Sequence, residues 1–196
     1  MKCIKYSILL LTLQGCSSNY EWGWYILSPD NVEGLTNLRF LISGITTTIY
    51  ISVISIILAM IIGLIIALPS LSKNKFLTYL NITYVEIVRA IPLLVLILCI
   101  YYGLPIMLGV SFSPFVSGII ALTISESAFQ AEIFRAGINS ISKGQHEVSE
   151  SLGMSFWKKM RLVILPQAIK VVLPAMGNQF VYVLKMSSLV SIIGIA

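Results

Sequence analysis

One long apolar stretch restricts how this chain can fold more than any other feature of its sequence. No charged residue occurs between Phe40 and Ser72, and almost every position of Ile45–Leu68 is apolar. A helix needs about 20 apolar residues to cross the hydrocarbon core of a bilayer, so the sequence predicts a first membrane-spanning helix over Ile45–Leu68. Small residues recur at every fourth position of this helix and would let a second helix approach closely: Ser55, Ala59 and Gly63.

The overall composition indicates that lipid, rather than water, surrounds the folded chain. Hydrophobic residues make up 57% of the 196 residues, 11% are charged, and the mean hydropathy is +0.93. Soluble domains carry about a quarter charged residues, and a soluble chain of this length has no core large enough to bury so much apolar surface. The formal net charge of +5 does not indicate a nucleic-acid partner, because the cations lie between the apolar runs, where membrane topology accounts for them.

Further apolar runs predict an all-α bundle that crosses the membrane several times. A second span begins near Tyr84 and continues through Leu93–Met107, a third covers Phe115–Phe134, and a fourth covers Val163–Leu184. The apolar end Met186–Ala196 would cover about half of the hydrocarbon core at about 1.5 Å per residue. The predicted fold is therefore a polytopic helical membrane bundle with four clear spans and a partial fifth.

The distribution of cations predicts which loops face the cytoplasm. Loops beside membrane spans carry more lysine and arginine on the cytoplasmic side. Lys73 and Lys75 lie between the first and second spans, and five cations lie in residues 135–162, whereas the loop between the second and third spans has none. We therefore expect both basic loops in the cytoplasm and the N-terminus on the outer side.

Residues 1–16 have the layout of a signal segment. Lys2 and Lys5 precede the short apolar stretch Ile8–Leu13, and Cys16 follows a small residue. This is the order of a secretory signal with a lipoprotein-like cleavage box. The alternative is a partly apolar tail that is never cut. In either case the segment is too short to cross a bilayer.

Residues 17–39 are expected to form an extracytoplasmic amphipathic segment. Trp22, Trp24 and Tyr25 make an aromatic cluster typical of the membrane interface, and turn-forming residues follow from Pro29. A membrane domain then covers residues 40–196, with its cytoplasmic loop at residues 135–162.

That cytoplasmic loop is far longer than a connection between two spans requires. Ser142–Gln145 fits a capping box at the start of a helix over Lys143–Leu152, Gly153 fits a left-handed C-terminal cap, and Ser155–Trp157 begins a second short helix. Such a short helix is not stable alone in water, so it must dock. It docks either on the membrane surface of the same protein, held by tryptophan and lysine side chains, or in a groove of a cytoplasmic partner.

The loop resembles the EAA loop of ABC importer permeases. That pattern is Glu-Ala-Ala, three residues, Gly, nine residues and Ile-x-Leu-Pro. This chain has Glu147-Val148-Ser149, Gly153 and Val163-x-Leu165-Pro166 at the same spacing. Surrounding stretches are similar to the polar amino-acid branch of that family, the histidine- and glutamine-type permeases: Glu86-x-x-Arg89-x-x-Pro92, Ala131–Gly137, Lys143-Gly144-Gln145, Leu165–Ala168, Gly177–Phe180 and Leu184–Ser191. The resemblance covers about residues 35–196.

The resemblance implies a MetI-like ABC importer permease fold in a bacterial inner membrane, within a larger complex. In that family the loop forms a coupling helix that sits in a cleft of an ATPase subunit and transmits nucleotide-driven closure. This chain has no Gly-x-x-x-x-Gly-Lys-Ser/Thr loop, so ATP and Mg would bind the separate ATPase and this chain would bind no cofactor. The other implied partners are a second permease subunit, identical or different, an extracytoplasmic amino-acid-binding protein, an amino-acid substrate and membrane lipid.

The resemblance assigns ATPase coupling to seven residues: Glu147, Val148, Ser149, Leu152, Gly153, Leu165 and Pro166. Val148 and Leu152 fall on one face of the predicted helix and would give a small apolar contact. Glu147 would make a charge-assisted hydrogen bond to a basic residue of the partner. The local alternative for Glu147 is that a carboxylate in the N-terminal half of a helix is mildly stabilised by the helix dipole.

Four polar residues within the predicted spans are candidates for the translocation path: Ser125, Glu126, Gln130 and Lys185. A carboxylate at mid-bilayer costs about 2.5–3.5 kcal/mol on insertion scales, so Glu126 should either line the path, where it would attract an amino group, or hydrogen-bond a neighbouring helix. Lys185 would reach the outer headgroups or contact a substrate carboxylate. Glu86 and Arg89 are three residues apart and are expected to pair.

Other classes of function fit the sequence less well. An intramembrane enzyme would need a nucleophile with a base, or a metal-binding pair, within the spans. The single histidine, His146, lies outside every predicted span, so we predict no catalytic residue and no metal ligand. Two alternatives stay open: an ion-coupled transporter or channel, and a truncated, non-functional permease fragment, because family members continue into one more span where this sequence ends at Ala196.

Overall fold

The structure, a computed structural model, describes residues 23–30, 32–70 and 75–195. Every regular element in these ranges is a helix, which confirms the predicted all-α class. The predicted signal segment, residues 1–16, lies outside the described residues. The chain divides into two units, one ending at Ile42 and the other beginning at Ser43.

The first unit contains a short 3-10 helix and the start of a long α-helix. The 3-10 helix Trp24–Leu27 is followed by a turn at Pro29–Asp30, a position where proline and aspartate favour turns. The long helix then begins at Val32. The side-chain amide of Asn37 donates to the carbonyl oxygen of Ile26 at 3.0 Å, and this bond ties the 3-10 helix to the first turns of the long one.

The long helix, α1, covers Val32–Ser70. Its 39 residues extend about 58 Å at about 1.5 Å per residue, well beyond a hydrocarbon core of about 30 Å. α1 is one of two described helices that are long and apolar enough to cross a membrane. The predicted span Ile45–Leu68 lies within it. The helix starts earlier than predicted because no proline interrupts the chain between Pro29 and Pro69.

The predicted second span is a bent pair of rods. Its elements are α2 (Lys75–Ala90), α3 (Leu93–Leu98), a π turn (Cys99–Gly103) and α4 (Leu104–Leu108). α2 meets the rod formed by α3 and α4 at 93°, so the predicted second span, which was to begin near Tyr84, contains a sharp bend that the sequence did not predict. Pro92 explains the break, because it has no N–H for the helical ladder and its ring disfavours a helical conformation at Ile91.

α5 covers Pro114–Asn139 and lies at the centre of the bundle, against α2, α3 and the last long helix. Ser113 caps it, with its hydroxyl oxygen accepting from the Val116 N–H at 3.4 Å. The helix runs past the predicted end of the third span at Phe134 and takes in the start of the predicted loop. α5 is long enough to cross a membrane but, unlike α1, is not apolar enough to be identified as a span from its composition. The reason is that many of its side chains are polar.

The polar loop and the last span form one nearly continuous series of helices. Its elements are α6 (Lys143–Ser151), α7 (Phe156–Lys159), a π turn (Met160–Ile164), α8 (Leu165–Met186) and a 3-10 helix (Ser187–Ile193). The stretch from α7 to the end of the 3-10 helix is the second rod long and apolar enough to cross a membrane.

The number of spans therefore differs from the prediction. The described ranges contain two helices that are long and apolar enough to cross a membrane, or three spans if the bent pair counts as one. The predicted partial fifth span, Met186–Ala196, is a 3-10 continuation of α8 over Ser187–Ile193, without a helix of its own. Four spans and a partial fifth are thus not confirmed.

The hydrophobic core lies where α1, α3, α5 and the C-terminal 3-10 helix meet. Its buried members are Ile51, Leu93, Ile97, Ile100, Ala121, Leu122, Val190 and Ile193. The small-residue face of α1 packs against α5, as predicted. Ser55 donates to the carbonyl oxygen of Ile119 at 3.5 Å, Ala59 is fully buried, and a Cβ on Gly63 would lie only 2.6 Å from that of Gln130.

Candidate functional site

Glu126 lies in the interior of the bundle, bonded to a neighbouring helix. It has no exposed surface, and its Oε2 accepts from the side-chain amide of Gln179 on α8 at 2.6 Å. Its other carboxylate oxygen has no hydrogen-bond partner. α5 and α8 can approach closely because Gly137 faces Val172 with no side chain between them. Of the two sequence-based alternatives, this geometry corresponds to a buried interhelical hydrogen bond.

The other three candidates for the translocation path have different surroundings. Ser125 is buried and lines a cavity. Gln130 is fully buried, and neither of its side-chain polar atoms has a hydrogen-bond partner. Lys185 is exposed near the end of α8. The structure therefore brings Ser125, Glu126 and Gln130 together inside the bundle and leaves Lys185 on its surface.

The cavity beside Ser125 has a volume of about 370 Å³. It lies between α2, α5 and α8, next to the bend at Pro92, and its lining includes Arg89, Phe129 and Tyr182. Pockets for small molecules commonly have about 300–1,000 Å³ and a few polar groups in a mostly apolar wall. Glu126 does not belong to this lining. The cavity thus offers a cation and two aromatic rings to a small ligand, without the buried carboxylate.

Arg89 is the polar group of this cavity that the sequence did not assign to a site. Its guanidinium lies 5.0 Å from the centre of the Phe129 ring, a distance typical of a cation–π contact, and that ring lies 6.4 Å from the ring of Tyr182. The expected ion pair with Glu86 is not among the ion pairs of the described ranges, so that prediction is wrong. The sequence signal that could have identified this site is a cation three residues before a proline. The bend at Pro92 turns Arg89 towards α5.

α6, the predicted coupling helix, begins at Lys143, directly after Ser142, without the predicted side-chain cap. The Ser142 side chain makes no capping hydrogen bond; only its carbonyl oxygen accepts from the Gln145 N–H, at 3.0 Å. The Gln145 side chain instead accepts from Gln167 of α8 at 3.4 Å. The predicted capping box is therefore wrong, because Gln145 makes a contact to a helix distant in sequence and does not reach back.

The end of α6 follows the prediction closely. Gly153 has φ of +67°, in the left-handed region, and its N–H donates to the carbonyl oxygen of Glu150 at 2.9 Å. The N–H of Met154 donates to the carbonyl oxygen of Ser149 at 3.1 Å. Together these are the two bonds of a Schellman motif. The motif ends α6 and starts the turn to α7.

The seven candidate coupling residues divide into an outward and an inward group. Glu147, Gly153 and Pro166 are exposed, as are Val148 (59%), Leu152 (69%) and Leu165 (39%). Ser149 is buried and donates to the carbonyl oxygen of Gln145 at 2.6 Å. An ion pair at 2.6 Å joins Glu150 to Lys159 of α7. The two short helices are thus tied to each other, and the apolar side chains of α6 remain exposed.

Known proteins are similar to this chain in sequence and in fold. The sequence model of the family described as "Binding-protein-dependent transport system inner membrane component" matches residues 55–196. The chain is 41% identical over 157 residues to the probable glutamine ABC transporter permease protein GlnM of Bacillus subtilis (strain 168), covering 80% of this chain and 72% of that relative. It is 36% identical over 157 residues to the putative glutamine transport system permease protein GlnP of Rickettsia prowazekii (strain Madrid E), with the same coverage.

A solved structure agrees with these sequence matches. The crystal structure of an amino acid ABC transporter with histidines superposes with a TM-score of 0.76 at 41% sequence identity. The match covers 84% of this chain and 78% of that chain. The helices described above therefore have the arrangement of an ABC transporter membrane subunit, and the predicted resemblance is confirmed.

Proposed function

Because the chain belongs to the family of binding-protein-dependent transport system inner membrane components, we propose that it is the permease subunit of an ATP-driven importer for a polar amino acid. Membership of that family makes it an inner-membrane transport component and not itself an enzyme. It also implies an ATPase and a binding protein as partners. The observation that carries the proposal is the exposed apolar face of α6, at the position and spacing of the family's coupling loop.

The coupling surface is formed by Val148 and Leu152, with Glu147 beside them. Apolar side chains that are exposed on a helix too short to be stable by itself need a partner surface. The ion pair between Glu150 and Lys159 joins α6 to α7 and helps to hold these side chains in one orientation. Glu147 supplies a charge-assisted bond to a basic residue of the ATPase, which would hold the ATP and Mg. Leu165 and Pro166 are the first residues of α8, the helix to which the closure of the ATPase would be transmitted. Ser149 and Gly153 would determine the shape of α6.

The substrate site is the cavity at the Pro92 bend. Arg89 would pair with the carboxylate of an amino acid, because a guanidinium offers two parallel N–H donors to a carboxylate, and Ser125 would accept or donate a further hydrogen bond. Glu126 and Gln130 do not line this cavity and lie in the packed interior, so Glu126 would reach an amino group only if the helices around it moved apart. Its Oε1, which has no hydrogen-bond partner, could then accept from that group. Replacement Glu126→Gln should then reduce uptake of cationic amino acids, whereas unchanged uptake of every substrate would limit Glu126 to holding α8.

Four membrane crossings also remain part of the proposal. α5 has 26 residues, about 39 Å at about 1.5 Å per residue, and its polar side chains are buried and need not face lipid. With the basic loops in the cytoplasm, the N-terminus and residues 17–39 lie on the outer side, ahead of a permease domain over residues 40–196.

A second permease subunit, identical or different, would cover one face of α8. Lys170, Gly177, Asn178 and Lys185 are exposed and lie within roughly one third of the helix circumference at 3.6 residues per turn. Polar side chains on a membrane-spanning helix face protein or water and not hydrocarbon. The shared path would then run between the two copies of this face.

The test is association with the ATPase subunit. Val148→Asp with Leu152→Asp should lower co-purification of the ATPase at least about tenfold, because two charges replace the apolar contact. The matched control is Ser151→Asp, an exposed position on the same helix. Transport that continues without ATP hydrolysis, or a control that impairs association as strongly as the double variant, would contradict the proposed coupling.

A further inference from the structure

A second cavity shares no lining residue with the cavity at the Pro92 bend. It is a groove of about 230 Å³ between α1, α5 and α8. Leu64 of α1, Phe134 and Ile138 of α5, and Leu165, Ile169 and Leu173 of α8 contribute to its walls, and its remaining lining is also apolar. A groove without a hydrogen-bonding side chain suits a hydrocarbon ligand and offers nothing to an amino acid.

One end of the groove lies beside the loop that joins α5 to α6 and α8. Ile138 belongs to the last turn of α5, and Leu165 is the first residue of α8. Both flank the loop that contains the coupling helix. With this loop in the cytoplasm, as in the proposed function, this end of the groove lies in the inner leaflet, close to the phosphate groups of the lipid.

Arg161 gives this end of the groove a cation. It lies in the π turn four residues before Leu165, and residues four apart lie near each other on a helix. Arg161 is exposed and belongs to neither ion pair of the described ranges. By contrast, Arg135 is paired with Glu132, and Lys159 is paired with Glu150. A guanidinium binds phosphate oxygens in a two-pronged geometry that an ammonium cannot reproduce.

We propose that this groove binds one acyl chain of an anionic phospholipid whose phosphate is held by Arg161. The apolar walls match the chain, and the cation at the inner-leaflet end matches the headgroup charge. A second copy of the chain fits elsewhere on α8, because the polar residues Lys170 and Asn178 are exposed on a face of the helix that does not line the groove. The lipid site does not depend on which substrate is transported.

The proposal is tested by native mass spectrometry of the full chain purified in its complex. The complex is titrated with palmitoyl-oleoyl phosphatidylglycerol or with phosphatidylcholine of the same chains. We expect one phosphatidylglycerol retained per chain and weaker retention of phosphatidylcholine. Arg161→Gln should weaken phosphatidylglycerol binding about fivefold, the effect of about one basic residue at an anionic surface. Arg161→Lys should recover part of that loss, and Lys75→Gln, which removes an exposed cation from α2, a helix that does not line the groove, should have no effect.

A second pair of variants tests the groove itself. Ile169→Trp would fill the groove from its wall, whereas Val171→Trp adds the same bulk to an exposed position outside it. Only Ile169→Trp should lower retention of either lipid. Equal binding by wild type and Arg161→Gln, equal effects of the two tryptophans, competition by soluble glycerol phosphate, or loss of the lipid when two permease subunits associate would each overturn the proposal.

Discussion

α1 and α5 pack against each other in this bundle and have opposite compositions. α1 has no charged residue from Phe40 to its end at Ser70, yet many of its large side chains are exposed, among them Ile57 (47%) and Ile65 (61%). α5 carries serine, threonine, glutamate and glutamine, yet Glu126 and Gln130 have no exposed surface at all. In a bilayer the apolar surface belongs on the lipid side and polar groups gather among the helices. Hydropathy therefore identifies the helix that faces lipid and overlooks the helix that organises the interior.

The largest expected effect concerns the lipid-facing side of α1. Ile57→Asp places a carboxylate near the middle of the predicted span and should raise the apparent free energy of membrane insertion by about 2.5–3.5 kcal/mol. Ile57→Leu keeps an apolar side chain and should change it by less than about 0.5 kcal/mol. The fraction of inserted chain measures both. A tolerated aspartate would show that this face of α1 meets protein or water, and the contrast with α5 would fail.

The next effect concerns the contact between the two helices. Gly63→Ala should destabilise the protein by about 1–3 kcal/mol, because its Cβ would lie 2.6 Å from Gln130 Cβ and 2.9 Å from the Ser127 carbonyl oxygen. Gly44→Ala is the matched control, since no atom lies within 4 Å of its added Cβ and alanine favours helix. Thermal unfolding in detergent distinguishes them. Equal melting temperatures for both variants would show that α1 and α5 are not packed this closely.

A smaller effect is expected where α5 meets α8. Glu126→Leu should cost about 1–3 kcal/mol, because it leaves the half-buried amide of Gln179 without its partner. Glu126→Gln can keep one hydrogen bond and should cost less. Combining Glu126→Leu with Gln179→Leu removes both polar groups and should recover stability. A double variant as unstable as the sum of the single variants would show that the two side chains do not interact.

The smallest effect separates bonded from unbonded hydroxyl groups on α5. Ser117 is fully buried and its hydroxyl has no hydrogen-bond partner, so Ser117→Ala should be neutral or stabilising by up to about 1 kcal/mol. The Ser127 hydroxyl shares a hydrogen bond of 2.7 Å with Tyr84 of α2, so Ser127→Ala should destabilise by about 1 kcal/mol. Melting temperatures test the difference. Destabilisation of equal size at both positions would contradict the distinction.

The features that the sequence predicted well are those decided locally. The apolar length of α1, the left-handed Gly153 and the two short helices of the loop follow from a few neighbouring residues. The seven coupling candidates followed from motif spacing, and the structure supplies the exposure of Val148 and Leu152. Their contact with an ATPase stays a prediction.

The features that the sequence missed depend on residues far apart in the chain. Pro92 was visible, but the 93° angle is set by how α2 and α3 each pack on α5. Arg89 lies over Phe129, which is 40 positions later, so its local neighbour Glu86 was a poor guide. The capping box failed for the same reason, since Gln167 of α8 takes the side chain that was assigned to the cap.

The ion pair between Glu150 and Lys159 has a mechanical consequence. It spans the turn at Gly153, which would otherwise be the natural hinge of the loop, and so it restrains bending between α6 and α7. The next position at which the chain could bend is then the π turn Met160–Ile164, which directly precedes α8. We expect a displacement of α6 to be transmitted to α8 along the axis of α8, with little bending within the loop.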